Sequence, residues 1–182
     1  MSQPSAAALP LLLRPSTEAD LPAIQAIYAH AVEHGTGTFE TEVPSVEEMG
    51  RRRAEVLSRH LPWLVAERGG QVLGYAYANY FRPRLAYRFC VEDSIYLAPA
   101  AQGQGVGRLL LAELIARCEA AGSRQMLAVI GDADNAGSIG VHTALGFQHT
   151  GVLKSAGWKF GRWLDVVLMQ RTLGPGDSTE AA

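Results

Sequence analysis

The sequence predicts an α/β sandwich built around one mixed sheet. Two observations lead there. Apolar residues recur at helical spacing in several separated segments, and β-rich runs bounded by glycine, proline and polar residues lie between them. Their order reads β, α, α, several strands, then βαβαββ, which suits one sheet covered by helices. With 182 residues, 48% of them hydrophobic, the chain suffices for a single domain with a substantial core.

Taken in order, Leu11 to Arg14 suits a first strand. Thr17 and Asp20 form a capping-box pattern that opens a helix through about Glu33, with Leu21, Ile24, Ile27, Tyr28 and Ala31 as its buried stripe. His34 to Phe39 breaks this helix, and glycines on both sides of Thr36 predict a mobile loop of the kind that often holds substrate. Ser45 with Glu48 repeats the capping pattern, so a second helix runs to about His60 and stops before Pro62. Trp63 to Tyr80 is β-rich on both sides of Gly69-Gly70, a hairpin signal. A loop from Phe81 to Tyr87 follows, and Arg88 to Leu97 is a further strand. Val106, Leu110, Leu111, Leu114, Ile115 and Cys118 mark a third helix, which Gly122 ends. Gln125 to Ile130 is the next strand. A polar turn from Gly131 to Gly137 leads to a short helix ending near Phe147. Phe147 to Leu173 supplies two closing strands, with a loop around Trp158 to Arg162.

Composition excludes several functions. With 16 basic and 18 acidic residues and a net charge of −2, no nucleic-acid or membrane surface is expected as the main partner. Cys90 and Cys118 are too few for a disulfide scaffold, which favours a reducing cytoplasm. Residues 1–10 read as a flexible N-terminus, because the apolar run there has no charged leader and is too short to span a bilayer. Residues 11–173 form the domain, and the polar Gly/Pro-containing residues 174–182 read as a flexible tail.

The most informative segment runs from Ile95 to Ala112. A strand ends at Leu97 and passes into Gln102-Gly103-Gln104-Gly105-Val106-Gly107-Arg108, which opens a helix. Glycines let the backbone approach a ligand, and the first turn of a helix has free N–H groups and positive potential. Arg108 adds a full charge, so the turn suits a phosphate. The dinucleotide motif would need glycine in place of Arg108, and the nucleotide P-loop would need Gly-Lys-Ser/Thr. Both fail, which leaves a tight structural connection or the pattern Gln102-x-x-Gly105-x-Gly107.

That pattern resembles the acetyl-CoA pyrophosphate loop of the GNAT superfamily of N-acetyltransferases. Asn135, Ser138, His142 and Gly146-Phe147 keep the spacing of the superfamily's second CoA-contacting segment, though His142 stands where many members have tyrosine. Together with Tyr87 to Ser94, Pro62 to Glu67 and Gly157 to Asp165, it resembles the phosphinothricin and methionine sulfone N-acetyltransferase family over nearly the whole chain. The resemblance implies a mixed, mostly antiparallel sheet splayed at the acetyl-CoA site and flanked by helices. It also implies a homodimer, with acetyl-CoA as co-substrate and a small amino acid analogue as acceptor. Gln102 to Arg108 would hold the diphosphate; Ile95, Tyr96 and Leu97, with Asn135 and Ser138, would hold the pantetheine arm.

Acetyl transfer to an amine also needs a base and a site for the acceptor. Strand alternation puts Glu92, Ser94 and Tyr96 on one face, and Val91, Asp93, Ile95 and Leu97 on the other. Glu92 reads either as general base or as a strand carboxylate paired with Arg82 or Arg88; the resemblance points to the base. A strand bulge, which the resembling family has, would alter this alternation near Leu97. His142 reads either as a catalytic group that protonates the leaving thiolate or helps orient the amine, or as a helix histidine bonded to a backbone carbonyl. Arg82, Arg84 and Lys159, in loops bordering the site, are candidate partners for an acceptor carboxylate, with Phe39, Tyr87 and Trp158 as apolar walls. The remaining histidines lack metal-ligand spacing, so no metal is expected. Two rival readings remain: an acetyltransferase for a protein N-terminus or polyamine, and a non-catalytic acyl-CoA sensor.

Overall fold

The computed structural model describes residues 9–181, so most of the 1–10 stretch read as a flexible N-terminus lies outside the described residues. Among the described residues, seven strands form one sheet in the order β1-β2-β3-β4-β5-β7-β6. They are β1 (Leu12–Pro15), β2 (Trp63–Arg68), β3 (Gln71–Tyr80), β4 (Cys90–Leu97), β5 (Gln125–Gly131), β6 (Gln148–Lys159) and β7 (Arg162–Thr172). Of these strands, only β4 and β5 run parallel. The helices are α1 (Leu21–His34), α2 (Val46–Ser58), α3 (Val106–Ala120) and α4 (Ala136–Ala144).

Local chemistry explains the element boundaries. The Asp20 carboxylate accepts the Thr17 N–H at 2.7 Å and both terminal nitrogens of Arg14 at 2.7 and 2.8 Å, fixing a 3-10 turn ahead of α1. The α1 stripe buries Val32 rather than Ala31. Ser45 Oγ caps α2 by accepting the Glu48 N–H at 3.2 Å. Gly69 and Gly70 take φ of +60° and +81°, the tight turn that matches strand twist. The loop expected around Trp158 to Arg162 is instead a two-residue turn, Phe160-Gly161, with φ of +52° and +72°. After a register shift between Leu153 and Gly157, the pairing of β6 with β7 resumes and runs to Lys159–Arg162, next to this turn.

α1 and α2 cover one face of the sheet and α3 and α4 the other. Tyr96 meets Tyr28 of α1 with ring centroids 4.9 Å apart, whereas its neighbours Ile95 and Leu97 face Gly107 of α3. Trp63, Tyr75, Leu110, Leu111, Leu114 and Met126 are among the fully buried side chains between these layers. The β4 alternation is as expected, and its pairing with β3 runs from Gly74–Leu97 to Tyr80–Val91 without a register shift, so no bulge interrupts it. At the C-terminal end, Arg124 Nη1 donates to the Gly176 carbonyl at 3.2 Å and to Thr179 Oγ1 at 3.0 Å.

Candidate active site

Two elements that leave backbone groups unpaired meet at the C-terminal end of β4. β4 and β5 are joined at Cys90–Gln125 through Asp93–Ala128, and beyond that pair they part. Ile95, Tyr96 and Leu97 stay bonded to β3 on one side while their other edge has no strand partner. A wedge therefore opens in the sheet, and an extended amide-bearing ligand can enter it as an added strand.

The glycine-rich turn lies at the mouth of this wedge. Pro99–Ala101 forms a 3-10 turn, and Gly103 and Gly105 then take φ of +70° and +77°, with Gly105 capping α3. A Cβ at either position would meet nothing within 4 Å, so the glycines answer to backbone conformation and leave open space above the turn. Gly107 is different: a Cβ there would stand 3.2 Å from Leu97 Cδ1, so it lets α3 lie close on β4. Leu109 N donates to Gly105 O at 3.2 Å, which leaves the N–H groups of Val106, Gly107 and Arg108 ahead of the first bond of this helix. Gln104 is held by its side chain, which donates to Ala100 O at 2.6 Å and accepts from Arg68 Nη1 at 3.1 Å. Arg68, on the β2–β3 hairpin, thus joins Arg108 beside the turn. The sequence did not single it out, because this contact spans 36 positions.

α4 borders the wedge from the β5 side. Asn135 Oδ1 caps it by accepting the Ser138 N–H at 3.1 Å, while Asn135 Nδ2 faces Gly37, 3.5 Å from where a Cβ would be. His142 does not open onto the wedge. It is 2% exposed, with Nδ1 2.7 Å from the Ser138 carbonyl and Nε2 3.0 Å from Asp93 Oδ2. Burial opposes its charged form, but the Asp93 hydrogen bond and charge, with the Ser138 carbonyl, outweigh it and raise its pKa.

Glu92 is on the opposite face, across from Asn79 and Leu127 and one residue before the strands part. Burial and then the neighbouring Asp93 carboxylate push its pKa up, while Arg82 pulls it down. Arg82 stacks on Phe81, its Cζ 4.4 Å from the ring centroid, and borders a pocket of about 440 Å³ with Arg59, Tyr80 and Pro83. Arg84 and Tyr87 are exposed on the same loop. Phe39 is packed against Gly131 and Gly157.

Lys159 is placed differently from expectation. It ends β6 rather than occupying a loop, is 3% exposed, and donates to the carbonyls of Gly35 and Thr38 at 2.8 Å each. Tyr28 Oη, 2.9 Å from Thr38 Oγ1, donates to Glu40 at 2.8 Å, and Arg52 pairs with Glu40 at 2.6 Å. The loop from His34 to Phe39, read from its glycines as mobile, is thus tied from both sides. Lys159 has committed two of its three ammonium hydrogens to that loop and is itself buried.

Residues 24–147 match the acetyltransferase (GNAT) family. The chain belongs to that family. It is 61% identical over 160 residues to the phosphinothricin N-acetyltransferase of Alcaligenes faecalis, covering 88% of this chain and 81% of that one. It is 42% identical over 168 residues to the L-methionine sulfoximine/L-methionine sulfone acetyltransferase of Pseudomonas aeruginosa, covering 90% and 95%. The crystal structure of a phosphinothricin acetyltransferase from Sinorhizobium meliloti in complex with acetyl-CoA superposes with a TM-score of 0.92 at 49% identity, covering 94% of this chain and 93% of that one. This GNAT protein is accordingly an acetyl-CoA-dependent N-acetyltransferase. Among the described residues, no group of three or more His, Cys, Asp or Glu side chains could hold a metal ion.

Proposed function

We propose that this enzyme transfers the acetyl group of acetyl-CoA to the α-amine of a small amino acid analogue: phosphinothricin, methionine sulfone or methionine sulfoximine. The relatives that act on these compounds support the acceptor class. The observation that carries the mechanism is a half-buried carboxylate, Glu92, one residue before the wedge begins.

Gln102 to Arg108 bind the diphosphate through amide donors and Arg108, with Arg68 adding charge alongside. The pantetheine arm pairs with the free edge of Ile95 to Leu97 and takes the Asn135 Nδ2 donor, with Ser138 at the start of the same helix. The thioester then comes to rest near the parting of β4 and β5. Glu92, with its raised pKa, removes a proton from the acceptor ammonium directly or through a water, and the amine attacks the thioester carbonyl. An amide donor near Leu97 steadies the oxyanion; as it collapses the C–S bond breaks, and the proton lost by the attacking nitrogen passes to the leaving thiolate, directly or through water, leaving amide and thiol. Arg82 takes the acceptor carboxylate, with Arg84 beside it, while Phe39 and Tyr87 shape the apolar wall. Direct attack is favoured because neither thiol is activated: burial pushes Cys118 up to about 12 and also raises Cys90.

Two further readings belong here. A homodimer is supported by β6 standing at the sheet edge, with Leu153, Trp158, Phe160 and Trp163 each at least half exposed on its hairpin. A cytoplasmic location is supported by both cysteines being free.

The test is a panel of acceptors with thiol release as readout. The three analogues should exceed spermidine and an N-terminal peptide by at least about a hundredfold in kcat/KM. Preference for spermidine or peptide would replace the acceptor assignment, and tight acetyl-CoA binding without turnover on any amine would favour a sensor.

A further inference from the structure

Asp93 and His142 form a buried ion pair at the point where the sheet opens. Their side chains are each 2% exposed, and Asp93 belongs to the last residue pair that joins β4 to β5. From there a chain of hydrogen bonds runs along α4. His142 Nδ1 donates to the Ser138 carbonyl at 2.7 Å, and the Ser138 N–H donates to Asn135 Oδ1 at 3.1 Å. With one ring nitrogen facing a carbonyl and the other a carboxylate, the ring serves both partners when each nitrogen carries a hydrogen. Neither hydrogen is free for a leaving thiolate, which argues against the reading of His142 as a proton donor.

The cap has a consequence at the other end. Because Asn135 Oδ1 is occupied by Ser138, its Nδ2 is the end left for a ligand, and it stands 3.5 Å from where a Cβ on Gly37 would be. The pair is enclosed by Cys118 of α3 and by Phe147, whose ring stands edge-on to His142 at 4.9 Å; Glu92 is its neighbour along β4. Asp93 Oδ1 is buried without a hydrogen-bond partner, so the Asp93 side chain is held chiefly through His142.

We propose that Asp93 is a positioning residue for the coenzyme: through His142 and Ser138 it fixes the Asn135 amide where the pantetheine arm passes. This rests on the reading of Asn135 given above. It assigns the pair to binding of the arm and leaves the diphosphate grip at the glycine turn independent of it.

The experiment measures affinity by calorimetry for two ligands: acetyl-CoA, and adenosine 3′-phosphate 5′-diphosphate, which lacks pantetheine. Asn135→Ser keeps a capping oxygen but loses the Nδ2 donor, and should weaken acetyl-CoA about tenfold while leaving the nucleotide within about twofold. Asp93→Ala should give the same selective loss. Asp93→Asn, whose amide can donate to a neutral imidazole, should recover part of it, and carries the test if the alanine variant does not fold. Asp93→Ala with Asn135→Ser should lose little beyond either alone. If Asn135→Ser binds acetyl-CoA as the wild type does, the reading of Asn135 fails and the proposal with it. If Asn135→Ser weakens acetyl-CoA and neither Asp93 variant does, the proposal alone is overturned. Equal losses for both ligands, or a fall in kcat with acetyl-CoA affinity unchanged, would also overturn it.

Discussion

The ring of Phe39 fills the space that a side chain at position 157 would need; a Cβ on Gly157 would overlap it. This contact joins the loop after α1 to β6 beside the proposed acceptor site. Gly157→Ala should therefore displace Phe39. We expect a stability loss of about 1–3 kcal/mol and a raised KM for the acceptor with little change for acetyl-CoA. Denaturant midpoints and steady-state kinetics check this; an unchanged acceptor KM would remove Phe39 from the site.

Lys159 makes a second tie to the same loop. Lys159→Met would leave the Gly35 and Thr38 carbonyls without their donor, at about 1–3 kcal/mol for the buried groups left unpaired. Hydrogen exchange over residues 35–40 should quicken. If Lys159 instead bound the acceptor carboxylate, the variant would lose acceptor affinity with loop protection intact.

The glycine turn predicts a binding defect. Gly105→Ala meets no steric obstacle, but φ of +77° costs alanine about 1–2 kcal/mol or forces the turn to shift. The effect should fall chiefly on KM for acetyl-CoA, by about tenfold, as the amide donors move. A variant with normal acetyl-CoA affinity would place the diphosphate elsewhere.

Two groups give opposite pH limits to stability. The Arg14 hydrogen bonds lower Asp20 from 3.8 to about 2, so its stabilisation is present above the unfolded value and is lost as pH falls toward 2; it amounts to about 2 kcal/mol. His142 is raised above 6.5, so its contribution is full below that value and is lost as pH rises through the folded value. Unfolding midpoints against pH should show both limbs. Asp20→Asn should flatten the acid one, and an unchanged acid limb would contradict the assignment.

The helices, the hairpin and the glycine turn were legible because each depends on neighbours in sequence: caps at Thr17 and Ser45, Gly69-Gly70, and periodic leucines in α3. Lys159 and Arg68 were not, since each acts on a segment brought near only by the sheet. Loop glycines at 35 and 37 suggested mobility, yet the ties to that loop come from positions as distant as 159. For Asp93, alternation placed it correctly on the face away from Glu92. Its partner on α4 depends on helix packing that no local pattern encodes.

The most direct test of the account is the rate of single-turnover acetyl transfer to methionine sulfone as a function of pH, for the wild type and Glu92→Gln. The variant should bind acetyl-CoA normally but react about 10²–10⁴-fold more slowly at neutral pH, its residual rate climbing with pH as solution supplies free amine. The wild type should show an acid limb above the ordinary carboxylate value of 4.5. Full activity of Glu92→Gln at neutral pH, with the wild-type pH profile, would contradict it.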